Sequence, residues 1–539
     1  MTCCLGGRAS VPVRRMSEGY IMQSTRNDDR PGWLDRVERW GNALPDPVFI
    51  FLGFILLVIA LSVLAASVGW SAVNPVSGKL LQVESLLTEA NLRRLLVGMP
   101  TTLTGFPPLG LVLVVMLGAA VAERSGLFTA LLSGSIGKVP RWALTPSVFI
   151  IGLLSHHASD AAYVVFIPLA ALVYAEAGRH PMAGIATAFA AISGGFAGNV
   201  VPGQVDVLLL GITEAAARLI DPKFTMNPLG NWWFSIGICL AFAPVAWFIT
   251  DRIVEPRLGP WRPDAEAAAL VVPHEGLTKM QRRGLAHARL AALAVIGLFA
   301  AFTFWPGFTP LLDRAAEGPQ RTTPFYRALI GGFMLLFLAC GWAYGRAVGT
   351  VKSHRDIVAM MGHGMKTMAP YLVIVFFAAH FVALFNWSNL GPVIAIKGAE
   401  TLRTLDIPRP LLLVSLLLMS SGFDLFIGSA SAKWSAMAPV VVPMLMLLGI
   451  SPEMTTAAYR MGDSVTNILT PLMSNFPLVL VICQRWNKGA GVGSVLALML
   501  PYGLAFLGAG CLLVMGWVAL ELPVGPGAAV AYHLPVVSP

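Results

Sequence analysis

The feature that most limits what this chain can fold into is a set of long apolar runs. A helix needs roughly 20 apolar residues to cross the ~30 Å hydrocarbon core of a bilayer. Nine runs reach that length: about 49–70, 109–134, 181–212, 231–250, 287–305, 326–348, 369–390, 453–484 and 495–521. Hydrophobic residues make up 56% of the 539 residues and charged residues only 12%, so there are more apolar side chains than a soluble core can bury. The sequence therefore predicts an all-α, polytopic membrane protein.

Two further apolar regions, about 142–178 and 410–450, do not fit a single span because polar and small residues interrupt each one near its middle. An interrupted helix at membrane depth exposes unpaired backbone groups, which are tolerated only where they line water or protein. We therefore expect each region to form a re-entrant helical hairpin that enters and leaves the membrane on one side. The predicted fold has nine transmembrane helices and two such hairpins.

The distribution of Lys and Arg predicts the side that each loop faces. With the N-terminus in the cytoplasm, the inner segments carry seven, six and three basic residues, at 1–46, 251–286 and 349–368. The outer segments carry three, two, two and three, at 71–108, 213–230, 306–325 and 391–409. This bias has the sign of the positive-inside rule. Because five full spans separate the two hairpins, the hairpins are expected to be inverted relative to each other.

The same division defines the predicted organisation of the chain. Its parts are a cytoplasmic N-terminal segment 1–46, a first half 47–250 containing the hairpin 142–178, a cytoplasmic loop 251–286, a second half 287–521 containing the hairpin 410–450, and a C-terminal tail 522–539.

The two halves repeat one order of features. A break rich in Ser and Ala, at Ser155–Asp160 or Ser429–Ser431, precedes an apolar arm and then a helix that ends near Asn199 or Asn467. Inverted repeats of broken helices are the architecture of secondary transporters, which bind substrate near the membrane midplane. The repeat therefore predicts a secondary active transporter.

The break in FDLFIGSASAKW, residues 423–434, is a candidate binding element. Free N–H and C=O groups at two half-helix ends can hold an anion and a cation respectively, and the small side chains of Ser429 and Ser431 would let a ligand approach the backbone. The alternative is a small-residue seam for helix packing.

Ionisable residues inside the membrane point to the site more sharply. In AYRMGDSVTN, Arg460, Asp463 and Asn467 are spaced by three and four residues and share one helix face. Charged side chains at membrane depth are costly and are usually functional. We interpret these residues as contributing to substrate binding or ion coupling, with a purely structural ion pair as the alternative.

Further polar residues occupy comparable places in the first half. Asp160 lies at the hairpin break, Asn199 in GGFAGNVVPG and Asp206 in GQVDVLLLG. Asp206 has a structural alternative, since it could cap the helix that follows Gly203. Trp387 in FNWSN is either an interfacial anchor or a stacking surface for an aromatic ligand.

Other classes of function find no support in the sequence. It has no Walker loop for ATP-driven pumping, and its six cysteines lack metal-ligand spacing. His156 and His157 are adjacent and would point to different helix faces, which argues against a two-histidine metal site. The formal net charge of +9 lies mostly in hydrophilic loops, so we assign it to membrane topology and expect no nucleic-acid partner. No cofactor is expected beyond a coupling ion, Na⁺ or H⁺.

These motifs together resemble the AbgT family of p-aminobenzoyl-glutamate transporters, within the larger ion-transporter superfamily. The resemblance covers nearly the whole chain apart from its two ends and the cytoplasmic loop. The segments that carry it are VERWGNALPDP (37–47), PLGLVLVVMLGAAVAERSG (108–126), SHHASDAAYVVFIPLAAL, GNVVPGQVDVLLLGITEAA, LFIGSASAKW and AYRMGDSVTNILTPLM. The resemblance implies homodimers in the bacterial inner membrane, driven by a proton or sodium gradient.

The resemblance also carries residue roles to matching positions. The family's important residues correspond to Asp206, Ser431, Arg460 and Asp463, with Asn199, Asn467 and the Ser429 backbone beside them. The chain departs from the family pattern in three places: Asp424 and His156 stand where Asn is usual, and Pro202 is not typical. Asp424 adds a negative charge beside the second hairpin, which bears on the identity of the coupling ion.

The leading hypothesis is a secondary active transporter of p-aminobenzoyl-glutamate or a related aromatic, anionic folate catabolite. Arg460 would face the substrate carboxylates, and the other candidate binding residues are Ser429, Ser431, Asn199, Asn467 and Trp387. The candidate coupling residues are Asp463, Asp206, Asp424 and Asp160, with a transported sodium ion expected near Asp463 and Asn467 if sodium is the ion. The alternatives are proton-driven efflux of sulfonamide antimetabolites and, from another class, an intramembrane hydrolase that uses the Asp pair.

Overall fold

The structure is a computed structural model of the chain. It describes residues 47–74, 78–135, 140–155, 162–261, 277–315, 321–425, 427, 429–471, 473 and 475–534. The predicted N-terminal segment and the candidate residues Asp160, His156 and His157 lie outside the described residues.

Helices form nearly all of the described structure. In chain order they are α1 (Pro47–Ser67), α2 (Glu89–Thr104), α3 (Pro107–Arg124), α4 (Leu127–Ser135), α5 (Leu144–Ser155), α6 (Ile167–Glu176), α7 (Pro181–Phe189), α8 (Gln204–Ala217), α9 (Trp232–Ile249), α10 (Glu255–Leu258), α11 (Lys279–Phe304), α12 (Thr323–Val348), α13 (His354–Thr367), α14 (Ala369–Trp387), α15 (Leu390–Thr404), α16 (Arg409–Asp424), α17 (Ala430–Leu447), α18 (Pro452–Thr466), α19 (Phe476–Trp486) and α20 (Val492–Ala519). Short 3₁₀ turns lie at Arg141–Ala143 and Asn467–Leu469, and π-helical turns at Ala162–Phe166, Ala190–Gly194 and Thr250–Val254. Two short antiparallel strands, β1 (Ser71–Val73) and β2 (Leu80–Gln82), pair with Ala72 opposite Leu81.

The described helices confirm the predicted class. Eight helical stretches among the described residues are long and apolar enough to cross a membrane. Seven overlap predicted spans, although the stretch Glu89–Arg124 ends ten residues before the predicted end of the span 109–134, and the eighth, Ala430–Leu447, is the second arm of the predicted hairpin 410–450. Helix α11 is the least buried of the eight stretches, since only 6% of its most apolar 18 residues are buried.

Two predicted spans, 181–212 and 453–484, are broken in the middle. The first half-helix ends in a π-helical turn before Asn199, and α8 begins beyond Pro202. The second ends in the 3₁₀ turn that begins at Asn467, and α19 begins beyond Pro471. A proline lacks the backbone N–H that a continuing helix needs and disfavours helical geometry in the residue before it. Each break therefore exposes polar backbone in the interior of an otherwise apolar segment.

Helix α16 and helix α17 form the second predicted hairpin. The bonded pairs between α16 and α18 advance together along both helices: Ser420 with Tyr459, Ser421 with Gly462, and Asp424 with Thr466. These two helices therefore run parallel. Helix α17 runs antiparallel to α18, because a short turn joins their near ends and Lys433 in the first turn of α17 contacts Asp463 in the last turn of α18. The two arms of the hairpin are consequently antiparallel.

The first hairpin has the same construction. Along α5 and α7, Gly152 faces Ala191 and Leu153 faces Gly195, so the two helices run parallel. Along α6 and α7 the pairs advance in opposite directions: Gly184 packs on Ala170, and the Tyr163 hydroxyl bonds Ser193 at 2.8 Å. The arms α5 and α6 are therefore antiparallel, as predicted.

Contacts between the halves show that the repeats are inverted. Side chains of the first half meet α18 and its 3₁₀ turn in descending order: Gly194 with Ile468, Asp206 with Arg460, and Thr213 with Thr456. The two broken helices therefore run in opposite directions and meet at their breaks. Because each hairpin runs with its own broken helix, the hairpins are inverted as well, which confirms the prediction.

Three amphipathic helices were not predicted. Helices α2, α13 and α15 lie in segments that the sequence analysis assigned to hydrophilic loops. Helices α13 and α15 each have a buried side and a polar side, whereas Asn91 is the one buried residue of α2; the helices α2, α13 and α15 pack against α14, α3 and α17 respectively. Their charged faces lower the average hydropathy, so a search for long apolar runs does not detect them.

The predicted C-terminal tail is ordered where the structure describes it. Residues 522–534 bridge the two halves, because the Val530 and Ala529 carbonyls accept bonds from the backbone and hydroxyl of Ser451. On the other side, the Val524 carbonyl accepts from the Phe234 backbone at 3.1 Å. The tail thus holds the turn before α18 next to the start of α9.

Candidate functional site

Helix α18 lies at the centre of the molecule, and every one of its residues is buried. It nevertheless carries Glu453, Arg460 and Asp463. A buried charge is costly unless it is paired and hydrogen-bonded, so the neighbouring helices must supply partners. Two groups of partners meet this helix, one from each half of the chain.

The first group pairs Arg460 with the broken helix of the first half. Arg460 Nη1 donates to Asp206 Oδ1 at 2.6 Å, and both side chains are less than a tenth exposed. Asp206 Oδ2 accepts from Asn199 Nδ2 at 2.9 Å and from the Gly203 backbone N–H at 2.7 Å. Asp206 is therefore both an ion-pair partner and the cap of α8, so the two alternatives weighed for it are combined in one residue.

This cluster contains polar atoms that the protein leaves unsatisfied. Arg460 Nε, a donor, and Asn199 Oδ1, an acceptor, are buried and have no hydrogen-bond partner in the described part of the chain. Both residues line a cavity at the break between α7 and α8, together with Pro202, Asp206, Asn231 and Trp232. Residues that line a cavity and carry unsatisfied buried polar atoms are expected where a polar ligand binds.

The second group surrounds Lys433 in the first turn of α17. Its Nζ donates to Asp424 Oδ1 at the end of α16 and lies 2.5 Å from Asp463 Oδ1 on α18. The Thr466 hydroxyl donates to Asp424 Oδ2 at 2.9 Å. The N-terminal end of a helix is unfavourable for a cation, so the two carboxylates are what hold Lys433 there. Asp463 Oδ2 has no hydrogen-bond partner among the described residues.

An aromatic pair joins this second group to the first half. The Trp434 and Tyr459 rings stack with centroids 4.2 Å apart, and Tyr459 OH reaches Asp463 Oδ1 at 3.3 Å. Trp434 Nε1 donates to Thr213 Oγ1 at 2.8 Å. The arm α17 of the second hairpin is thereby fixed against both α18 and α8.

The serines of the break begin α17. Ser429 caps the helix by accepting from the Ala432 N–H at 3.4 Å, and its hydroxyl lies 3.4 Å from that of Ser431. Both serines are half-buried at the interruption between α16 and α17. Asn467 is also half-buried, at the interruption that follows α18. The structure thus places these three candidates at the tip region that the sequence predicted.

Trp387 lies apart from these clusters. It ends α14, and the Arg94 guanidinium stacks over its ring 4.3 Å from the centroid. This contact fits the interfacial-anchor alternative better than a stacking surface in the site.

Sequence reasoning missed Lys433, Trp434 and Thr466 as members of the site. The signal for Lys433 was present, since it is a charge within an apolar stretch four residues after a helix break. Trp434 resembles an ordinary core residue in sequence, and only the packing of α17 on α8 reveals its role. Among the described residues, no group of three His, Cys, Asp or Glu side chains could hold a metal ion.

Comparisons with known proteins agree with this architecture. The sequence profile of the AbgT putative transporter family matches residues 32–532. The chain is 35% identical over 512 residues to the p-aminobenzoyl-glutamate transport protein of Escherichia coli strain K12, covering 95% of this chain and 99% of that protein.

Two solved structures share the fold. The YdaH transporter of Alcanivorax borkumensis, described as having an unusual topology, has a TM-score of 0.83 at 40% identity and covers 89% of this chain and 100% of its own. MtrF of Neisseria gonorrhoeae, described with a class of antimetabolite efflux pumps, has a TM-score of 0.85 at 41% identity and covers 92% and 99%. The profile match and the identity extend over nearly the whole chain, and the chain therefore belongs to the AbgT family of membrane transporters.

Proposed function

We propose that the protein moves p-aminobenzoyl-glutamate or a related aromatic anion across the membrane at the Arg460 cluster. The observation that carries this proposal is that Arg460 and Asn199 line one cavity at the break and that each has a buried polar atom, Nε and Oδ1, with no partner among the described residues. A substrate carboxylate would accept from the guanidinium, and a substrate N–H would donate to the amide oxygen. The name of the Escherichia coli relative supports this substrate class.

The position of the site supports alternating access. Arg460 in the middle of α18 meets Asp206, which lies in the first turn of α8 just beyond the break of the opposite, inverted repeat. A substrate carboxylate competing with Asp206 for Arg460 would weaken the bond between the repeats. Movement of one repeat against the other would then open the site to alternate sides.

Gradient coupling is assigned to the acidic residues nearest this site. Asp463 lies one helical turn from Arg460, and Asp424 shares Lys433 with it. A carboxylate that gains and loses a proton or cation as the site changes sides would link the gradient to substrate movement. Asp206 contributes through its competition with the substrate for Arg460.

Efflux of antimetabolites is the second candidate. The description of MtrF favours it, and sulfonamides are aromatic compounds that can ionise to anions. The same site can run in either direction, because the direction depends on the gradients and not on the residues. An intramembrane hydrolase is disfavoured, since the two carboxylates that would act together, Asp424 and Asp463, are both held by Lys433.

The test is counterflow in proteoliposomes. Vesicles loaded with unlabelled p-aminobenzoyl-glutamate should take up radiolabelled p-aminobenzoyl-glutamate, and the label should be recovered chemically unchanged. External sulfonamide should compete if efflux of such drugs uses this site. Absence of counterflow, or recovery of hydrolysed label, would contradict the proposal.

The setting of the protein in the membrane is also proposed. We place it in the bacterial inner membrane as a homodimer with its N-terminus in the cytoplasm, supported by the Lys and Arg distribution and by the family. Light scattering of the detergent-purified protein should give the mass of a dimer of the 57.4 kDa chain. A monomer mass across a range of mild detergents would contradict the dimer.

A further inference from the structure

Lys433 bridges two carboxylates that come from two other helices. Its ammonium bonds Asp424 on α16 and Asp463 on α18, and the exposed fractions of the three side chains are 1%, 0% and 1%. We call Asp424, Lys433 and Asp463 the triad. Such burial makes the balance of charge within the triad decisive, because no bulk water screens it.

The triad is short of one positive charge. Two carboxylates and one ammonium leave a single net negative charge when all three groups are ionised. The Thr466 and Tyr459 hydroxyls donate to the carboxylates but add no charge. Asp463 Oδ2 is buried without a hydrogen-bond partner among the described residues, so it is the atom at which a proton would complete both the charge and the bonding.

Ionisable groups on α18 itself and on the helices packed against α17 and α18 have bonds outside the triad. These bonds are Arg460 with Asp206, Glu214 with Arg218, Lys397 with Glu400, Arg403 with the Leu447 carbonyl, and His380 Nδ1 with the Phe376 carbonyl, while His380 Nε2 is buried without a partner among the described residues. Glu453 lies at the opposite end of α18 from Asp463. On its remaining side Lys433 lines a cavity with the apolar side chains of Ile50, Phe51 and Phe54.

Lys433 occupies the place that a metal cation would need. A sodium ion shared by Asp424 and Asp463 would have to lie between their oxygens, where the ammonium already lies. A second cation at that spot would meet strong repulsion in a dry interior. A proton avoids this repulsion because it neutralises a carboxylate.

We propose that Lys433 is a tethered cation that fills the coupling position, so that the triad takes up one proton per transport cycle and excludes sodium. The proposal rests on the assignment of this protein as a transporter. The proton binds the Asp463 carboxylate from one side of the membrane, leaving the triad neutral, and it leaves to the other side when the repeats have moved.

Sodium binding to the purified full-length protein tests this without any substrate. Thermal unfolding is followed by tryptophan fluorescence in NaCl and in choline chloride at the same ionic strength. The wild-type Tm should be the same in both salts. Lys433→Gln removes the tethered cation and should raise the Tm by about 3–5 °C in NaCl over choline chloride, with saturation as sodium increases. Lys397→Gln, at an exposed ion pair, is the matched control and should behave as the wild type.

The double variant Asp424→Asn/Lys433→Gln covers the case in which the single variant does not fold. It removes one negative charge with the positive one, so the remaining charge equals that of the wild-type triad while the cation position is open. It should also show sodium-specific stabilisation. A saturable sodium-specific rise in the wild-type Tm, or a folded variant of either kind without one, would overturn the proposal. These outcomes are independent of whether p-aminobenzoyl-glutamate is transported.

Discussion

At the scale of single residues, the site depends on chemical types that are not interchangeable. Arg460 uses two of its nitrogens to bond Asp206 and the Ala197 carbonyl, and its third nitrogen, Nε, is buried without a partner among the described residues. A planar guanidinium can serve all three directions at once, whereas a lysine ammonium is a point charge on a flexible chain. One guanidinium can therefore pair with Asp206, as in the structure, and also bind the substrate, as we propose.

We expect Arg460→Lys to weaken substrate affinity by about tenfold or more, since a hydrogen bond to a charged group contributes about 1.5–3 kcal/mol. The variant should still fold, because a cation remains beside Asp206. Equilibrium binding of radiolabelled p-aminobenzoyl-glutamate measures the effect, and Arg218→Lys at a partly exposed ion pair is the control. Wild-type substrate affinity in Arg460→Lys would mean that Arg460 has only a structural role, as the ion-pair partner of Asp206.

The variant Asp424→Asn tests whether Asp424 takes part in coupling or only stands in place of the Asn that is usual in the family. The amide fills the same space but leaves Lys433 with one carboxylate, so the triad is neutral without a bound proton. We expect this variant to bind substrate and to lose proton-driven accumulation in proteoliposomes. Accumulation at the wild-type level would show that Asp463 alone carries the coupling.

At the scale of elements, the second hairpin is fixed by close approach of backbone to backbone. A Cβ built on Gly462 would lie 2.1 Å from the Leu417 carbonyl oxygen of α16, which cannot move without shifting the helix. The parallel packing of α16 on α18 therefore requires a glycine at that position.

Gly462→Ala should destabilise the protein by roughly 1–3 kcal/mol, as expected for overpacking of a filled interior. The measurement is the Tm of the purified protein together with its yield from membranes. Gly422→Ala is the control on the same pair of helices, because no atom lies within 4 Å of its added Cβ. Equal stability of the two variants would mean that α16 and α18 are not packed as described.

The helices and hairpins also show how much of the fold could be predicted from the sequence. Seven of the nine spans, both hairpins and the helix ends near Asn199 and Asn467 followed from apolar length and the position of small residues. The spans 181–212 and 453–484 were nevertheless predicted as continuous, because valines and leucines near Pro202 and Pro471 keep the average hydropathy high. The role of Lys433 could not be predicted, since its two partners are brought to it only by the hairpin turning back on α18.

At the scale of the whole molecule, inversion of the two repeats determines which loops face each side. The structure brings the broken helices of both repeats together in antiparallel order, and the bias of Lys and Arg supports the proposed orientation with the N-terminus in the cytoplasm. Lys79 lies between β1 and β2 and Arg283 lies near the start of α11; both are exposed, and their segments are predicted to face opposite sides.

Single cysteines at Lys79 and Arg283, in a background without the native cysteines, should react with a membrane-impermeant thiol reagent from opposite faces. The residue at 79 should be labelled in intact cells, and the residue at 283 only after the membrane is opened. Labelling of both positions from one face would refute the predicted topology.

The central claim is that Asp463, held in the triad beside Arg460, couples a gradient to substrate movement. The most direct test is accumulation of radiolabelled p-aminobenzoyl-glutamate in proteoliposomes under an imposed proton gradient, with wild type and Asp463→Asn compared at equal protein content. Wild type should accumulate the label and lose it on addition of a protonophore, whereas Asp463→Asn should bind the substrate and accumulate none. Accumulation by Asp463→Asn at the wild-type level would contradict the account.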